Sequence, residues 1–252
     1  MKKTKKGTKL VNKRNKEVRL NKFIADAGIC SRRKADDLIA AGVVRVNKKK
    51  VTELGTKVNP SDFVTVKGDP IGYREKLTYI LLNKPKDTIS TTDDEKDRRT
   101  VMDVVRSRNR VFPVGRLDRN TTGALLITND GELANRLMHP SYKVEKTYLA
   151  RLEKPLLFEH AEQIAQGVEL EDGKTAPCKV IIEPGDNTRV WVTLIEGKNR
   201  EIHRMFEKFD YRLKSLDRKA YATLTTEGMK RGDYRHLKKK EVANLKKMVG
   251  LE

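Results

Sequence analysis

An α+β chain in two parts is what this sequence predicts: a small ααβ module, then a larger domain with a mixed, largely antiparallel β-sheet. Three observations carry the prediction. Two short helical periodicities followed by strand-like runs occupy the first part, and a turn-rich stretch around Gly68, Pro70 and Gly72 interrupts them. Beyond it, strand-like and helical segments interleave without the regular strand–helix–strand spacing of a doubly wound sheet. At 252 residues the chain is long enough to bury a core in each part.

Residues 1–17 hold eight Lys and Arg and few apolar groups, a composition that cannot offset the entropy of folding, so a basic flexible tail is expected there. The module spans 18–67. Leu20, Phe23, Ile24 and Ala27 fall on one helical face, with Gly28 placed to end the helix. Ser31 can N-cap a second helix with Ala35, Leu38 and Ile39 as its buried stripe and Gly42 as its stop. Val43 to Val46 reads as a strand, Asn47 and the lysines after it as a turn, and Asp62 to Val66 as a closing strand. Residues 68–75 read as the linker, and 76–252 as the second domain. That domain opens with a strand from Leu77 to Leu82. It continues with strands at Lys146–Leu152, Lys179–Glu183 and Arg189–Ile195, and helices at Leu133–Met138, Phe158–Gln166 and Arg200–Phe206. The basic stretch Lys238 to Lys240, with Leu245 and Met248 nearby, reads as a short solvated helix.

The charge narrows the partner. Fifty-five Lys and Arg against 35 Asp and Glu leave a formal net charge of +20, which favours a polyanion because each cation set against a phosphate releases condensed counterions. Charge alone does not choose between RNA, DNA and an anionic membrane. No run approaches the roughly 18 apolar residues of a membrane helix, and the start MKKTKKGTKL has no apolar segment after its charges, so a cytoplasmic protein with no membrane partner is expected. Cys30 and Cys178 lack CxxC partners, and His139, His160, His203 and His236 show no metal-ligand spacing, so neither a disulfide nor a metal site is indicated. No cofactor is expected either.

Two motifs then point to chemistry. Arg32, Arg33 and Lys34 follow Ser31 at the start of the second helix, where backbone amides and the helix dipole already attract phosphate. Cations there do not help the helix itself, which favours RNA contact over a plain solvated face. In the run VGRLDRNTTGALLITNDG from Val114, a strand ends at Gly115 and presents Arg116 and Asp118 on one side of an extended segment. Taken by itself, that pair is better explained by a loop salt bridge than by a catalytic carboxylate.

The resemblance of these runs to known families changes that balance. RLNKFIADAGICSRRKADDLIAAGVVRVNKKKV resembles the S-four RNA-binding module, and GRLDRNTTGALLITNDG resembles the signature of RNA pseudouridine synthases. The continuation ELANRLMHPS is similar to the RsuA/RluB branch, with GVELEDG and EGKNRE closer to its large-subunit members. The resemblance implies that Asp118 is the catalytic aspartate, which drives cleavage of the uridine glycosidic bond before the base turns and rejoins through carbon. It further implies that Arg116 fills the space left by the extruded nucleotide, and that Tyr148, in the strand EKTYLA, stacks on the base. In EGKNREIHRMF, from Glu196 to Phe206, the family places a basic partner for the aspartate. By position this is His203, where relatives carry Arg or Lys, with Arg204 as the substitute. If His203 pairs with Asp118, its pKa is expected above the usual 6.5 or so. Lys198 and Arg200 of this run are expected to meet RNA. Lys84, in LNKPK, is expected to be structural or a phosphate contact.

The implied function is isomerisation of uridine to pseudouridine in a 23S rRNA hairpin by a monomer, with a 16S rRNA enzyme or a catalytically weak ribosome-assembly factor as alternatives. The departure at His203 supports the assembly factor; the intact Asp118 and Tyr148 oppose it. A metal-dependent nuclease using Asp118, Asp130 and Glu132 is a further rival, but the turn and strand between them leave no compact ligand motif, and Asp130 with Gly131 is better explained as the cap of the Leu133 helix.

Overall fold

A computed structural model describes residues 17–251, so the expected basic tail falls, apart from Glu17, outside the described residues. The chain divides into two compact units, Met1–Lys76 and Leu77–Glu252.

In the first unit, helices Leu20–Asp26 and Arg32–Ala40 bury Leu20, Phe23, Ile24, Ala35 and Ile39 against Val44, Val58, Val64 and Val66. The Ser31 hydroxyl accepts a hydrogen bond from the Lys34 amide at 3.2 Å, the N-cap that the sequence predicts. Strand Val44–Val46 pairs antiparallel with Lys49–Val51 and with Val64–Val66. Asn47 and Lys48 between the first two both have positive φ, +50° and +69°, the conformation in which a two-residue hairpin follows the twist of its strands. The stretch 68–75 is not wholly a linker: Asp69–Ile71 adds a fourth strand alongside Val64–Val66. Pro70 is accommodated because that strand lies at the edge, where a missing amide costs no ladder bond.

The second unit is built on one mixed sheet. Its order is Lys179–Glu183, Asp186–Leu194, Lys146–Leu152, Leu213–Tyr221, Thr122–Thr128, Tyr79–Lys84 and Tyr234–His236. Neighbours on this path run antiparallel except Leu213–Tyr221 and Thr122–Thr128, which meet in parallel at Asp217 beside Thr122 and Arg218 beside Gly123. Every residue of Thr122–Thr128 is buried because both faces are covered. Leu125 and Ile127 face a core with Leu82, Val192 and Phe206, while Ala124 and Leu126 face another with Leu81, Leu137, Tyr221 and Leu245. Leu245 corrects one expectation: the helix Lys239–Met248 is not solvated all round but packs through this fully buried leucine. Gly123 is required where the parallel strands meet. Its φ is +108°, and a Cβ there would lie 2.2 Å from the Arg218 carbonyl oxygen.

At the end of Tyr79–Lys84 the chain does something unusual with a charge. Lys84 is 0% exposed. Its ammonium donates to the carbonyl oxygens of Pro85 at 3.2 Å, Asp118 at 3.0 Å, Arg119 at 3.2 Å and Thr121 at 2.8 Å. Burial pushes its pKa down to about 8, against the opposing pull of the Asp118 charge. The side chain therefore ties the end of one strand to the loop that precedes the next. Replacing it by Met removes the donor from all four, and although the Asp118 and Arg119 carbonyls keep the Thr121 and Thr88 amides, each acceptor left buried and unpaired is expected to cost on the order of 1–3 kcal/mol. Lys84→Met should therefore lower the thermal unfolding midpoint by several degrees; a midpoint equal to wild type in a melting experiment would contradict the role.

Candidate active site

Strand Phe112–Pro113 leads into the segment that carries Arg116 and Asp118. The Val114 amide donates to the Leu126 carbonyl at 2.8 Å, and Gly115 then bends the chain at φ +73°. Leu117 is buried and clasped by Ser90, whose hydroxyl accepts from the Leu117 amide at 3.1 Å and donates to the Leu117 carbonyl at 3.0 Å. The Asp118 carbonyl accepts from Lys84 and from the Thr121 amide, at 3.0 and 3.1 Å. The backbone on both sides of Asp118 is thus fixed, while the Arg116 and Asp118 side chains, flanking buried Leu117, are exposed.

Asp118 stands where two cavities meet. One, of about 670 Å³, is lined by Arg116, Lys146, Tyr148, His203 and Arg218 besides Asp118. The other, of about 1040 Å³, shares Asp118, Arg200 and His203 with it and adds Lys86, Arg119 and Lys214. Tyr148 is 9% exposed, and its hydroxyl accepts from Arg218 Nη1 at 3.5 Å. Arg218 had no place in the sequence reading, nor had Ser90. Arg218 lies in LKSLDRKAY, where charged and apolar residues do not alternate and no periodicity announces a strand. The parallel pairing that buries it is long-range and leaves no local signal.

The helix Glu201–Glu207 brings only part of the expected basic set to Asp118. His203 faces both cavities. Its pKa is lowered rather than raised, since burial and then the neighbouring Arg200 cation outweigh the pull of Asp118 and Glu207. This reverses the expectation of an imidazolium held by the carboxylate. Arg204 is turned elsewhere, binding Asp172 through two hydrogen bonds of 2.8 and 3.0 Å, so it does not substitute for His203. Lys198 is likewise engaged by protein, its ammonium donating to the carbonyls of Asp172, Gly173 and Lys174 at 3.2, 2.6 and 3.0 Å. Lys84, read as a possible phosphate contact, is sealed from solvent. Arg200 is exposed and loosely paired with Glu207 at 3.8 Å. Among the described residues Asp118 forms no ion pair.

The remaining motifs sort cleanly. Arg32, Arg33 and Lys34 are all exposed in the first turn of their helix. The carboxylates of the nuclease reading serve separate purposes. Asp130 accepts from the Leu133 amide at 3.1 Å and from the Tyr79 hydroxyl at 2.7 Å, and Glu132 pairs with Arg136.

The lowered His203 pKa has a measurable consequence. The folded state holds this proton less well than the unfolded chain, so the stability His203 contributes is complete above about 6.5 and is lost as pH falls through the lowered folded value. Between pH 7.5 and 5.5, wild type should lose more melting temperature than His203→Gln; equal losses would show that His203 titrates as it does in water.

Comparison with known proteins agrees with this arrangement. Residues 78–208 match the family described as RNA pseudouridylate synthase, and residues 18–64 match the S4 domain. The chain is 44% identical over 236 residues to ribosomal large subunit pseudouridine synthase B of Bacillus subtilis, covering 92% of this chain and 96% of that one. It is 40% identical over 234 residues to the dual-specificity RNA pseudouridine synthase RluF of Escherichia coli K12, covering 92% and 79%. A crystal structure of a pseudouridylate synthase superposes with a TM-score of 0.67 at 29% identity, over 90% of this chain and 99% of that one. A fixed Asp118 loop beside Tyr148 in a mixed sheet, together with these matches over nearly the whole chain, makes it a member of the RNA pseudouridylate synthase family, carrying an S4 domain before the catalytic one.

Proposed function

We propose that this chain isomerises a specific uridine of ribosomal RNA to pseudouridine, that the RNA is 23S, and that Asp118 is the reacting carboxylate. The same reading has it act in the cytoplasm, as a monomer, on a hairpin of that RNA. The observation that carries it is the placement of Asp118: an exposed side chain on a hydrogen-bonded backbone, lining a cavity together with Tyr148 and Arg218. The cavity is of the size that accepts a small ligand. The choice of large-subunit RNA rests on the likeness to the Bacillus subtilis enzyme.

The residues divide the work as follows. Arg116, exposed next to Asp118, occupies the gap left in the RNA when the uridine turns out of its stack. Tyr148 offers its ring to the extruded base. The nucleotide covers Asp118, and water leaves, only when RNA is bound; the carboxylate then either attacks the anomeric carbon or removes the neighbouring 2′ proton. His203, which burial makes hold its proton less tightly than in water, lines both cavities with the carboxylate. Arg200 and Lys86 line the adjoining cavity, where the flanking phosphates pass. Domain boundaries follow the same assignment: the module at 18–67 supplies affinity, and the domain from 76 onward supplies chemistry.

Two experiments test this. A 23S rRNA transcript carrying 5-tritiated uridine should release tritium with EDTA present, and Asp118→Asn should cut the rate by at least roughly 10³-fold, the scale on which a positioned carboxylate acts, while folding and RNA affinity persist. Turnover close to wild type in Asp118→Asn would overturn the assignment; no tritium release with EDTA, but cleaved RNA when Mg2+ replaces it, would point to a nuclease instead. For the module, Arg32→Ala, Arg33→Ala and Lys34→Ala together should reduce the slope of log affinity against log salt by about 0.7–0.9 for each phosphate that is no longer neutralised. An unchanged slope would remove these three from the interface.

A further inference from the structure

We propose that Arg218 contacts the uracil base and stabilises the negative charge that the base carries once its glycosidic bond has broken; this rests on the isomerase reading above. Arg218 is 2% exposed yet lines the cavity that holds Asp118 and Tyr148. Its guanidinium is fixed in place: Nε donates to the Ala124 carbonyl at 2.7 Å and Nη1 to the Tyr148 hydroxyl at 3.5 Å. Nη2 is buried and has no hydrogen-bond partner. A planar fork with five donors, held at one edge and unpaired at another, is a site missing its acceptor.

No anion compensates this charge in the free protein. Among the described residues Arg218 forms no ion pair; it sits 4.8 Å from the Tyr221 ring centroid and 6.0 Å from that of Tyr148. The carboxylate next to it in sequence is committed elsewhere, Asp217 accepting from Thr122 at 2.9 Å and pairing with Lys219 and Arg231 at 2.8 and 2.7 Å. Strand alternation sends the two side chains to opposite faces of the sheet. A buried, unpaired cation is costly unless an anion arrives, and the reaction makes one. When the bond from C1′ to N1 breaks, its electron pair stays with uracil, and the charge spreads over N1, O2 and O4. The base turns, C5 bonds to C1′, the proton on C5 leaves and N1 takes up a proton, so the net change is an isomerisation with no oxidant or reductant. A hydrogen bond from Nη2 to a uracil carbonyl oxygen strengthens as that oxygen becomes anionic. Such a contact favours the transition state over bound uridine and acts on rate more than on affinity.

The test uses a synthetic 23S rRNA hairpin containing the mapped target uridine, or 2-thiouridine or 4-thiouridine at that position, since sulfur accepts hydrogen bonds poorly. Wild-type turnover of the uridine hairpin comes first; its absence would fell the isomerase reading and this proposal with it. Given that turnover, Arg218→Met should lower the single-turnover rate at saturating RNA on the order of 100-fold, the effect of removing one oxyanion donor, with RNA affinity close to wild type. One of the two thio substitutions should slow wild type, and that penalty should vanish in Arg218→Met. A rate close to wild type, or the same thio penalties in both enzymes, would overturn the role while leaving the isomerase reading intact. If Arg218→Met does not fold, Arg218→Lys keeps the cation but alters the fork, and is read the same way: a changed thio penalty supports the contact and an unchanged one refutes it.

Discussion

The Lys84 ammonium lies sealed beneath the loop that carries Asp118, and its four acceptors are the carbonyls of Asp118, Arg119 and Thr121 in that loop and of Pro85. A lysine there costs desolvation, which is why its pKa falls to about 8, and the cost is met by hydrogen bonds that no apolar side chain could make. The result is a loop whose backbone cannot wander although its central side chain is open to solvent. Ser90 does the same at Leu117 from the other side. On the proposed role of Asp118, its carboxylate has to be exposed to meet a nucleotide arriving from outside and held to meet a single sugar carbon or proton; fixing the main chain and freeing the side chain meets both demands.

Electrostatics around the loop follow from that arrangement. Lys84 and Arg218 are buried positive charges, Arg116 and Arg200 are exposed ones, and Asp118 has none of them within ion-pair distance. On the proposed role a tight salt bridge would occupy the carboxylate's oxygens, whereas the cations around it leave them free and also attract the RNA backbone. Arg204 and Lys198, which looked like partners for substrate, instead brace the 172–174 turn against the helix Glu201–Glu207. Arg204 thereby holds the helix from which His203 projects, while Lys198 also lines the cavity shared with Asp118 and Tyr148.

How much of this was legible in the sequence depends on how local the physics is. The Ser31 cap, the Asn47–Lys48 hairpin and the stripes of the first two helices are short-range and appear where the residues place them. Asp118 and Tyr148 were legible through resemblance alone, since composition and spacing allowed an ordinary loop salt bridge. What escaped was long-range. Leu213–Tyr221 carries four charged residues in nine, so it does not alternate like a strand. Its buried Arg218 becomes significant only once parallel pairing with Thr122–Thr128 brings it to Tyr148. The linker reading failed at Asp69–Ile71 because an edge strand tolerates the same Pro that breaks an interior one. The direction of the His203 shift failed because burial and Arg200 could not be seen beside the attraction of Asp118.

The claim on which the rest hangs is that this protein makes a particular pseudouridine in large-subunit ribosomal RNA, with Asp118 as its reacting group. Chemical mapping of pseudouridine across both ribosomal RNAs, in cells lacking the gene and in the same cells supplied with wild type or with Asp118→Asn, tests it most directly. The account predicts a discrete 23S rRNA signal that disappears with the gene, returns with wild type and does not return with Asp118→Asn. An unchanged map in the deleted cells, or restoration by Asp118→Asn, would contradict it.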